Sequence, residues 1–390
     1  MSTSFWLDRS LGGETQTFDA VIVGGGVSGL STAYWLHQED PGLKIALVEK
    51  SRIGFGASGR NAGFITCGSV EHFNRLIHKH GREKAASIWK FSEENLRLLK
   101  EHIVQDEAER LHFETRGSFS LASTEPEVQE LKKTAQLMGE HGIRVEEVPE
   151  RELRSRLGVS DFLHGIRYID DASVHPVRLL EAIRKKTPIT YLEQTEVFGI
   201  ESCEDGTRRI RTDRSTLEAP MVILALDGYS ALLNTFFRDK IFPTRGQILI
   251  TEPTQRVMEG PCYANFYLDY FRQLPGGEML VGGFRQLEKE TEVGFSDHTT
   301  ETIQNALEQF IEKHLPFARG LRISHRWSGV MGFSADGEPL VGMLPNDTQI
   351  AYIGGFTGHG LGLAFNAAKC LVGSIFGREI PEFISGRRFT

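Results

Sequence analysis

Cysteine is scarce in this chain and nowhere paired. Cys67, Cys203, Cys262 and Cys370 are scattered through 390 residues without a single C-x-x-C. That spacing excludes the ligand pattern of a zinc or iron–sulfur centre and gives no disulfide framework. Each thiol is expected to be a small buried apolar group. No metal is expected. Long apolar runs are missing as well: none approaches the roughly 18–20 residues that cross a bilayer, so no membrane partner is expected. The opening stretch MSTSFWLDRSLGGETQ lacks the basic start and apolar core of a secretory leader, and a cytoplasmic location is the expectation. Positive charge is in deficit, with 44 Lys and Arg against 52 Asp and Glu, a net charge of -8. Nucleic-acid affinity draws largely on Lys and Arg against phosphate, so no nucleic-acid partner is expected. Internal repeats and low-complexity linkers are absent.

What is present is the composition of an ordinary folded protein, 40% apolar and 25% charged, at a length that suits two domains. Strand and helix signals alternate at the start: FDAVIVG, a helix from about Val27 to Gln38, then KIALVEK, together a βαβ unit. A loop rich in glycine and serine follows over residues 51–69, then helical patterns from Val70 to about Asp106 and from Pro126 to His141. A helix opening at His175 and Pro176 leads into TYLEQTEVFGIESC and MVILALDG, read as strands of a second parallel group. IFPTRGQILITEP, YFRQLPG and GEMLVGGF read as antiparallel strands, the last two joined by a turn at Pro275, Gly276 and Gly277. A helix ended by Pro316, the strand QIAYIGGF and an apolar helix from Leu361 to about Phe376 complete the chain. These signals predict an α/β fold: a Rossmann-type nucleotide domain with an inserted α+β, antiparallel-sheet substrate domain. The nucleotide domain is expected over 16–92, 161–235 and 329–390, and the substrate domain over 93–160 and 236–328.

Three segments carry the chemistry. In VIVGGGVSGL, Gly24, Gly26 and Gly29 fit G-x-G-x-x-G between a strand and a helix, with Val27 and Ser28 inside the turn. The first glycine permits the tight turn, the second lets N–H groups approach a pyrophosphate, and the third lets helix and strand close up. Glu49, twenty residues past Gly29, stands where a carboxylate accepts ribose hydroxyls, and an acid there disfavours a 2'-phosphate. NAD and FAD both fit this unit. The second segment, GFGASGRNAGF, suits a loop laid along a pyrophosphate and a flavin ring: Ser58 has a hydroxyl, Arg60 offsets phosphate charge, and Asn61, Ala62 and Gly63 offer backbone N–H groups. The third, GGFTGHGLGLAFNAAK, sets a glycine turn at a helix N-terminus. Such an end, facing the N1 and C2 carbonyl edge of a flavin, favours the anionic reduced ring.

Taken together, these stretches with DASVHPVRLLEAI, TEVFGI, PTRGQ, YFRQLPGGEMLVGG and WSGVMGFSADGEPLVG resemble the D-amino-acid-oxidase-type FAD-dependent oxidoreductases. That group includes the glycine, sarcosine and gamma-glutamylputrescine oxidases, and ASGRNAGF with GFTGHGLGL sits nearest the last branch. The resemblance implies an FAD site made by the first glycine turn, Glu49, Lys50, Ser58 to Phe64, Val197, and the turn of Gly355, Gly358, His359, Gly360 and Leu361. It implies oxidation of a C–N bond by hydride transfer to flavin N5, hydrolysis of the imine, and reoxidation by O2. The flavin carries the chemistry, so no strong acid–base residue is required.

In glycine-oxidase-like sequences an Arg that grips the substrate carboxylate stands a few positions before an Asp-Gly-x-Pro element. Aligning Asp336, Gly337 and Pro339 on that element puts Met331 in its place, which favours a longer or less acidic amine over a simple α-amino acid. Arg245, Arg272 and Arg285 are the alternative carboxylate clamps. No cysteine lies between His325 and Pro345, where some relatives attach flavin, so FAD is expected to be non-covalent. Phe64, Tyr270, Met331 and His359 are the candidates for the flavin-facing pocket, Tyr270, Arg272 and His359 for the catalytic roles, and Trp327 for packing. Two other readings are a tRNA wobble-uridine-modifying oxidoreductase, which the acidic charge disfavours, and a flavoprotein dehydrogenase that is not an oxidase.

Overall fold

The computed structural model describes residues 15–265 and 269–389; the leader-free reading of the first fourteen residues lies outside them. The chain divides into two compact units. The first comprises Met1–Gly59, Val177–Thr244 and Met331–Thr390, and the second Arg60–Pro176 and Arg245–Val330. Each is assembled from separate stretches of chain, three in the first and two in the second, divided at 59/60, 176/177, 244/245 and 330/331. The glycine loop therefore splits between the two units, and the long helices after Val70 go with the second.

The first unit is built on a six-stranded sheet in the order Leu340–Leu344, Asp347–Gly354, Met221–Leu224, Ala20–Val23, Ile45–Val48, Thr190–Leu192. All neighbours run parallel except the first two, which form an antiparallel edge hairpin. Val21, Ile22, Leu47, Val222 and Ile223 are buried, so the central strands are apolar on both faces, as strands covered by helices must be. Helix Val27–Glu39 is buried from Val27 to Leu36 and packs along Gly360–Ile375, with the Trp35 indole N–H donating to the Phe365 carbonyl at 2.8 Å. VFGIES does not join the parallel group. Val197–Ser202 pairs antiparallel with Arg208–Thr212, which pairs with Thr216–Ala219. An Asp205 side chain accepting the Thr207 N–H at 2.9 Å turns the chain back between the first two strands.

The second unit carries an eight-stranded sheet in the order Ile323–Ser334, Ile241–Pro253, Glu278–Gly282, Asp269–Gln273, Cys262–Ala264, Ser118–Ala122, His164–Tyr168, Val145–Pro149. The predicted hairpin is there: Gly277 donates to the Leu274 carbonyl at 2.9 Å and Leu274 to the Glu278 carbonyl at 2.8 Å. Helix Glu301–His314 covers one face through Ile303, Leu307, Phe310 and Ile311, packed with Phe119, Leu249, Phe271 and Met279. Helices Val70–His80 and Arg82–Leu99 follow the glycine loop, and the second ends in a π-turn, Lys100–Val104. Glu125–Glu140 starts in a capping box made by Thr124 and Glu127, which satisfies two N–H groups reciprocally. Among the described residues no helix is long and apolar enough to cross a membrane.

Candidate functional site

In the first unit two of the three motif glycines, Gly24 and Gly29, stand where a side chain would collide with backbone. Gly24 is left-handed, with φ +115°, and a Cβ there would lie 2.4 Å from the Ala225 carbonyl oxygen. A Cβ on Gly29 would lie 1.9 Å from the Gly24 oxygen, so only glycine lets helix and strand close to this distance. Glu49 ends the second strand and folds back onto the turn, its Oε2 accepting the Gly25 N–H at 2.8 Å and its Oε1 the Ser51 N–H at 2.8 Å. A carboxylate with one bond on each oxygen keeps lone pairs for two hydroxyls. Ser58 meets the turn from below: its Oγ accepts the Val27 N–H at 2.8 Å, satisfying one of the four N–H groups that a helix start leaves open. Lys50 is exposed and paired with Glu196 at 2.8 Å, a surface pair of small energetic weight. Val197 stands two residues past Thr195, whose N–H donates to the Glu49 carbonyl at 2.9 Å.

The C-terminal glycine segment comes to the same place. A Cβ on Gly360 would lie 3.9 Å from Val27 Cγ1, at the start of the first helix. Gly355, Thr357 and Gly358 are all left-handed, with φ of +69°, +50° and +87°. The turn's own N–H groups are largely satisfied within the protein: that of Thr357 donates to the Gly332 carbonyl and that of His359 to the Phe356 carbonyl, both at 2.9 Å. His359 caps helix Gly360–Ile375 in sequence, is buried, and its Nδ1 lies 3.0 Å from the Thr357 carbonyl. Met331 lines this turn, its Sδ 3.9 Å from the Cβ position of Gly358. Leu361 is buried within the helix start.

One residue here escaped sequence reasoning. Asp227, at the end of MVILALD, accepts N–H bonds from Gly332 on Oδ2 at 2.6 Å and from Gly355 and Phe356 on Oδ1 at 2.9 and 3.4 Å. Burial pushes its pKa above the ordinary carboxylate value, and the N–H groups of Gly332, Gly355, Phe356 and Gly228 pull it back down.

In the second unit, residues 60–64 are held by side chains from distant positions. Arg60 Nη1 donates to the Ser328 carbonyl at 3.0 Å and to Asp297 at 3.2 Å, and the Trp327 indole donates to the Arg60 carbonyl at 2.8 Å. Asn61 Oδ1 takes the Gly63 N–H at 2.8 Å, so that N–H serves the loop's own turn and is not presented outward as the sequence suggested. Arg272 is buried, and its Nη1 donates to the carbonyls of Ala62, Gly63 and Val174 at 3.1–3.2 Å. Desolvation lowers its pKa to about 10, against the attraction of Glu114, which leaves it cationic at neutral pH. Phe64 stands edge-on to Tyr263 and Tyr270, with ring centroids at 5.3 and 5.8 Å. The Tyr270 ring lies across Gly282, where a Cβ would come within 2.5 Å of it. Its hydroxyl has no hydrogen-bond partner among the described residues, and burial raises its pKa above the usual phenol value.

Arg245, one of the three possible carboxylate clamps, is fully engaged. It forms a bidentate pair with Glu292, Nε and Nη2 each at 2.9 Å, and both side chains are at most 3% exposed. Gln247 and Thr300 complete the network on Glu292. The four predicted pocket residues therefore fall into two pairs, Phe64 with Tyr270 in the second unit and Met331 with His359 in the first.

This geometry has known counterparts. The profile of the FAD dependent oxidoreductase family matches residues 19–373. The chain belongs to that family. It is 25% identical to a probable oxidoreductase OrdL of Haemophilus influenzae, covering 93% of this chain and 83% of the relative. It is also 25% identical to the gamma-glutamylputrescine oxidoreductase of Escherichia coli, covering 96% and 85%. Among solved structures, glycine oxidase from Geobacillus kaustophilus superposes with a TM-score of 0.80 at 20% identity, over 95% of this chain and 97% of that one. As a member, this FAD-dependent oxidoreductase uses FAD, and the first unit suits that group at three points: a glycine turn that a Cβ would fill, a carboxylate with lone pairs to spare, and a left-handed turn leading into a helix start.

Proposed function

We propose that this FAD-dependent oxidoreductase oxidises the C–N bond of a small aliphatic amine, giving an imine that water hydrolyses, with O2 as the final electron acceptor. Bound FAD supplies the acceptor for the hydride. In this reading Gly24, Gly26, Val27, Ser28 and Gly29 hold the pyrophosphate, and Glu49 the adenosine ribose. Ser58, Lys50, Val197 and residues 60–64 border the cofactor, and Gly355, Gly358, His359, Gly360 and Leu361 meet the flavin edge. The cofactor is non-covalent.

The observation that carries the substrate class is the Tyr270 hydroxyl beside Phe64, which has no hydrogen-bond partner among the described residues. A phenol with an open donor and acceptor, set among aromatic rings, orients a neutral amine while excluding the water that would protonate it. Two of the three arginines that would grip a carboxylate are otherwise occupied, Arg245 by Glu292 and Arg272 by three carbonyls. An amine without an α-carboxylate is accordingly favoured over a simple amino acid. The net charge of -8 favours a small substrate over a tRNA.

Anaerobic addition of primary amines, secondary amines, polyamines and α-amino acids to the yellow protein tests this. Flavin bleaching by at least one amine, with hydrogen peroxide released on admitting air, is the expected result. Bleaching by α-amino acids alone overturns the substrate class, and bleaching without peroxide overturns the acceptor. Acid precipitation is expected to release the flavin, and a coloured pellet overturns the non-covalent assignment.

A further inference from the structure

Asp227 is an unusual residue to find where it is. It has φ +46°, its side chain is half-buried, and its partners are backbone N–H groups rather than a cationic side chain. Three glycines let the chain close around it. A Cβ on Gly228 would lie 2.9 Å from the Met331 carbonyl oxygen, one on Gly332 would lie 2.6 Å from Asp227 Oδ1, and one on Gly354 would lie 3.2 Å from the Asp227 Cα. The carboxylate thus ties together the end of strand Met221–Leu224, Gly332, and the first two residues of the left-handed turn that leads into helix Gly360–Ile375. Only an acceptor-only group suits this position, because an amide would turn an N–H donor toward at least one of the N–H groups it must receive. A carboxylate drawn partly out of water costs desolvation energy, so a charge kept here on N–H groups alone points to a use for the charge itself.

We propose that Asp227 is a positioning residue for the flavin: it sets the turn at residues 355–359 and places a fixed negative charge behind it, which opposes the growth of negative charge on the reduced ring. This rests on the reading that the turn meets the flavin edge. The chemistry is electrostatic and acts through space, since the Gly355 and Phe356 N–H groups are spent on the carboxylate itself.

Asp227→Asn in the full-length holoprotein tests it. The expected results are a flavin reduction potential shifted positive and FAD affinity of the apoprotein lowered about tenfold or more, the effect of losing one charged hydrogen bond. An unshifted potential overturns the proposal, even if the variant melts at a lower temperature. Should Asp227→Asn fail to fold, Gly332→Ala keeps the charge but displaces the turn: a comparable loss of FAD affinity is expected, and unchanged affinity overturns the proposal. Hydrogen exchange of the amides at residues 355–361 separates the two layers. Protection on adding FAD to the wild-type apoprotein is expected. Its absence sinks the reading on which the proposal rests, whereas protection with an unshifted potential in Asp227→Asn sinks the proposal alone.

Discussion

The two units reach their working geometry by opposite means. In the first, backbone approaches backbone: Gly24 and Gly29 leave out side chains so that strand and helix can close, and Glu49 and Ser58 answer N–H groups. In the second, side chains reach across the sequence: Arg245 to Glu292, Arg272 to the carbonyls of Ala62, Gly63 and Val174, and Trp327 to Arg60. A nucleotide offers the same phosphates and ribose whatever the enzyme does, and a backbone cradle tuned to it has little freedom to vary. A substrate face must be adaptable, and side chains are what can be exchanged without unmaking a sheet. The first unit should therefore fail by steric exclusion and the second by loss of charge balance.

The largest effect is expected where the backbone is closest. Gly29→Ala puts a methyl group 1.9 Å from the Gly24 oxygen, and the helix must retreat from the strand. Overpacking of this kind costs about 3 kcal/mol or more, about a hundredfold in FAD affinity if it falls wholly on binding. Titration of the apoprotein with FAD measures it, and an affinity within threefold of wild type would break the contrast drawn above.

Next in size is Glu292→Ala, which strands the buried Arg245 guanidinium. Removing one member of a buried pair costs about 3–5 kcal/mol, expected as a lower melting temperature. Burial raises the Glu292 pKa, but its bonds from Arg245 and Gln247 outweigh this and hold it below the ordinary value. Its contribution is therefore present above the unfolded-state pKa and is lost as pH falls through the depressed one. The wild type should lose stability in acid more steeply than the variant, and parallel pH profiles would refute this.

How far the sequence disclosed these devices follows from the same contrast. The glycine turn, Glu49 and the final glycine helix start were legible because each is a local pattern whose spacing is dictated by one turn of backbone. The parallel strands AVIV, IALV and MVIL were legible as wholly apolar runs, whereas VFGIES, which carries Gly199, Glu201 and Ser202, forms an antiparallel meander with the turn at Asp205. Asp227 was not legible: MVILALDG reads as a strand, and the residues whose N–H groups close on its carboxylate, Gly332, Gly355 and Phe356, are more than a hundred positions away. Arg245 and Arg272 looked like equivalent carboxylate clamps, because nothing near Arg245 announces Glu292, 47 residues on, and nothing near Arg272 announces carbonyls about two hundred residues back.

A smaller effect tests whether buried charge in the second unit is always matched by a partner. Asp171 is buried with the Ser118 hydroxyl donating to its Oδ2 at 2.5 Å, and desolvation raises its pKa to about 8. For a carboxyl raised in the folded state, the stabilising contribution is complete below the unfolded pKa and is lost as pH climbs through about 8. Asp171→Asn keeps an acceptor for Ser118 and removes the titration, so its melting temperature should fall less than that of the wild type between pH 6 and 9, chosen as roughly spanning that transition. Identical slopes would show that the site is hydrated and unremarkable in its charge.

The subtlest change separates packing from recognition on the aromatic face. Tyr270→Phe removes a hydroxyl with no partner among the described residues and leaves the ring against Phe64 and Gly282, so stability should stay within about 0.5 kcal/mol of wild type. If the hydroxyl orients the amine, kcat/KM falls about tenfold or more, the size of one transition-state hydrogen bond. A fall in kcat with KM unchanged would place the contact in the transition state, and a rise in KM alone would place it in simple binding. Unaltered kinetics in a stable variant would reduce Tyr270 to a ring that fills space, and the substrate face would then be read from shape and not from polarity.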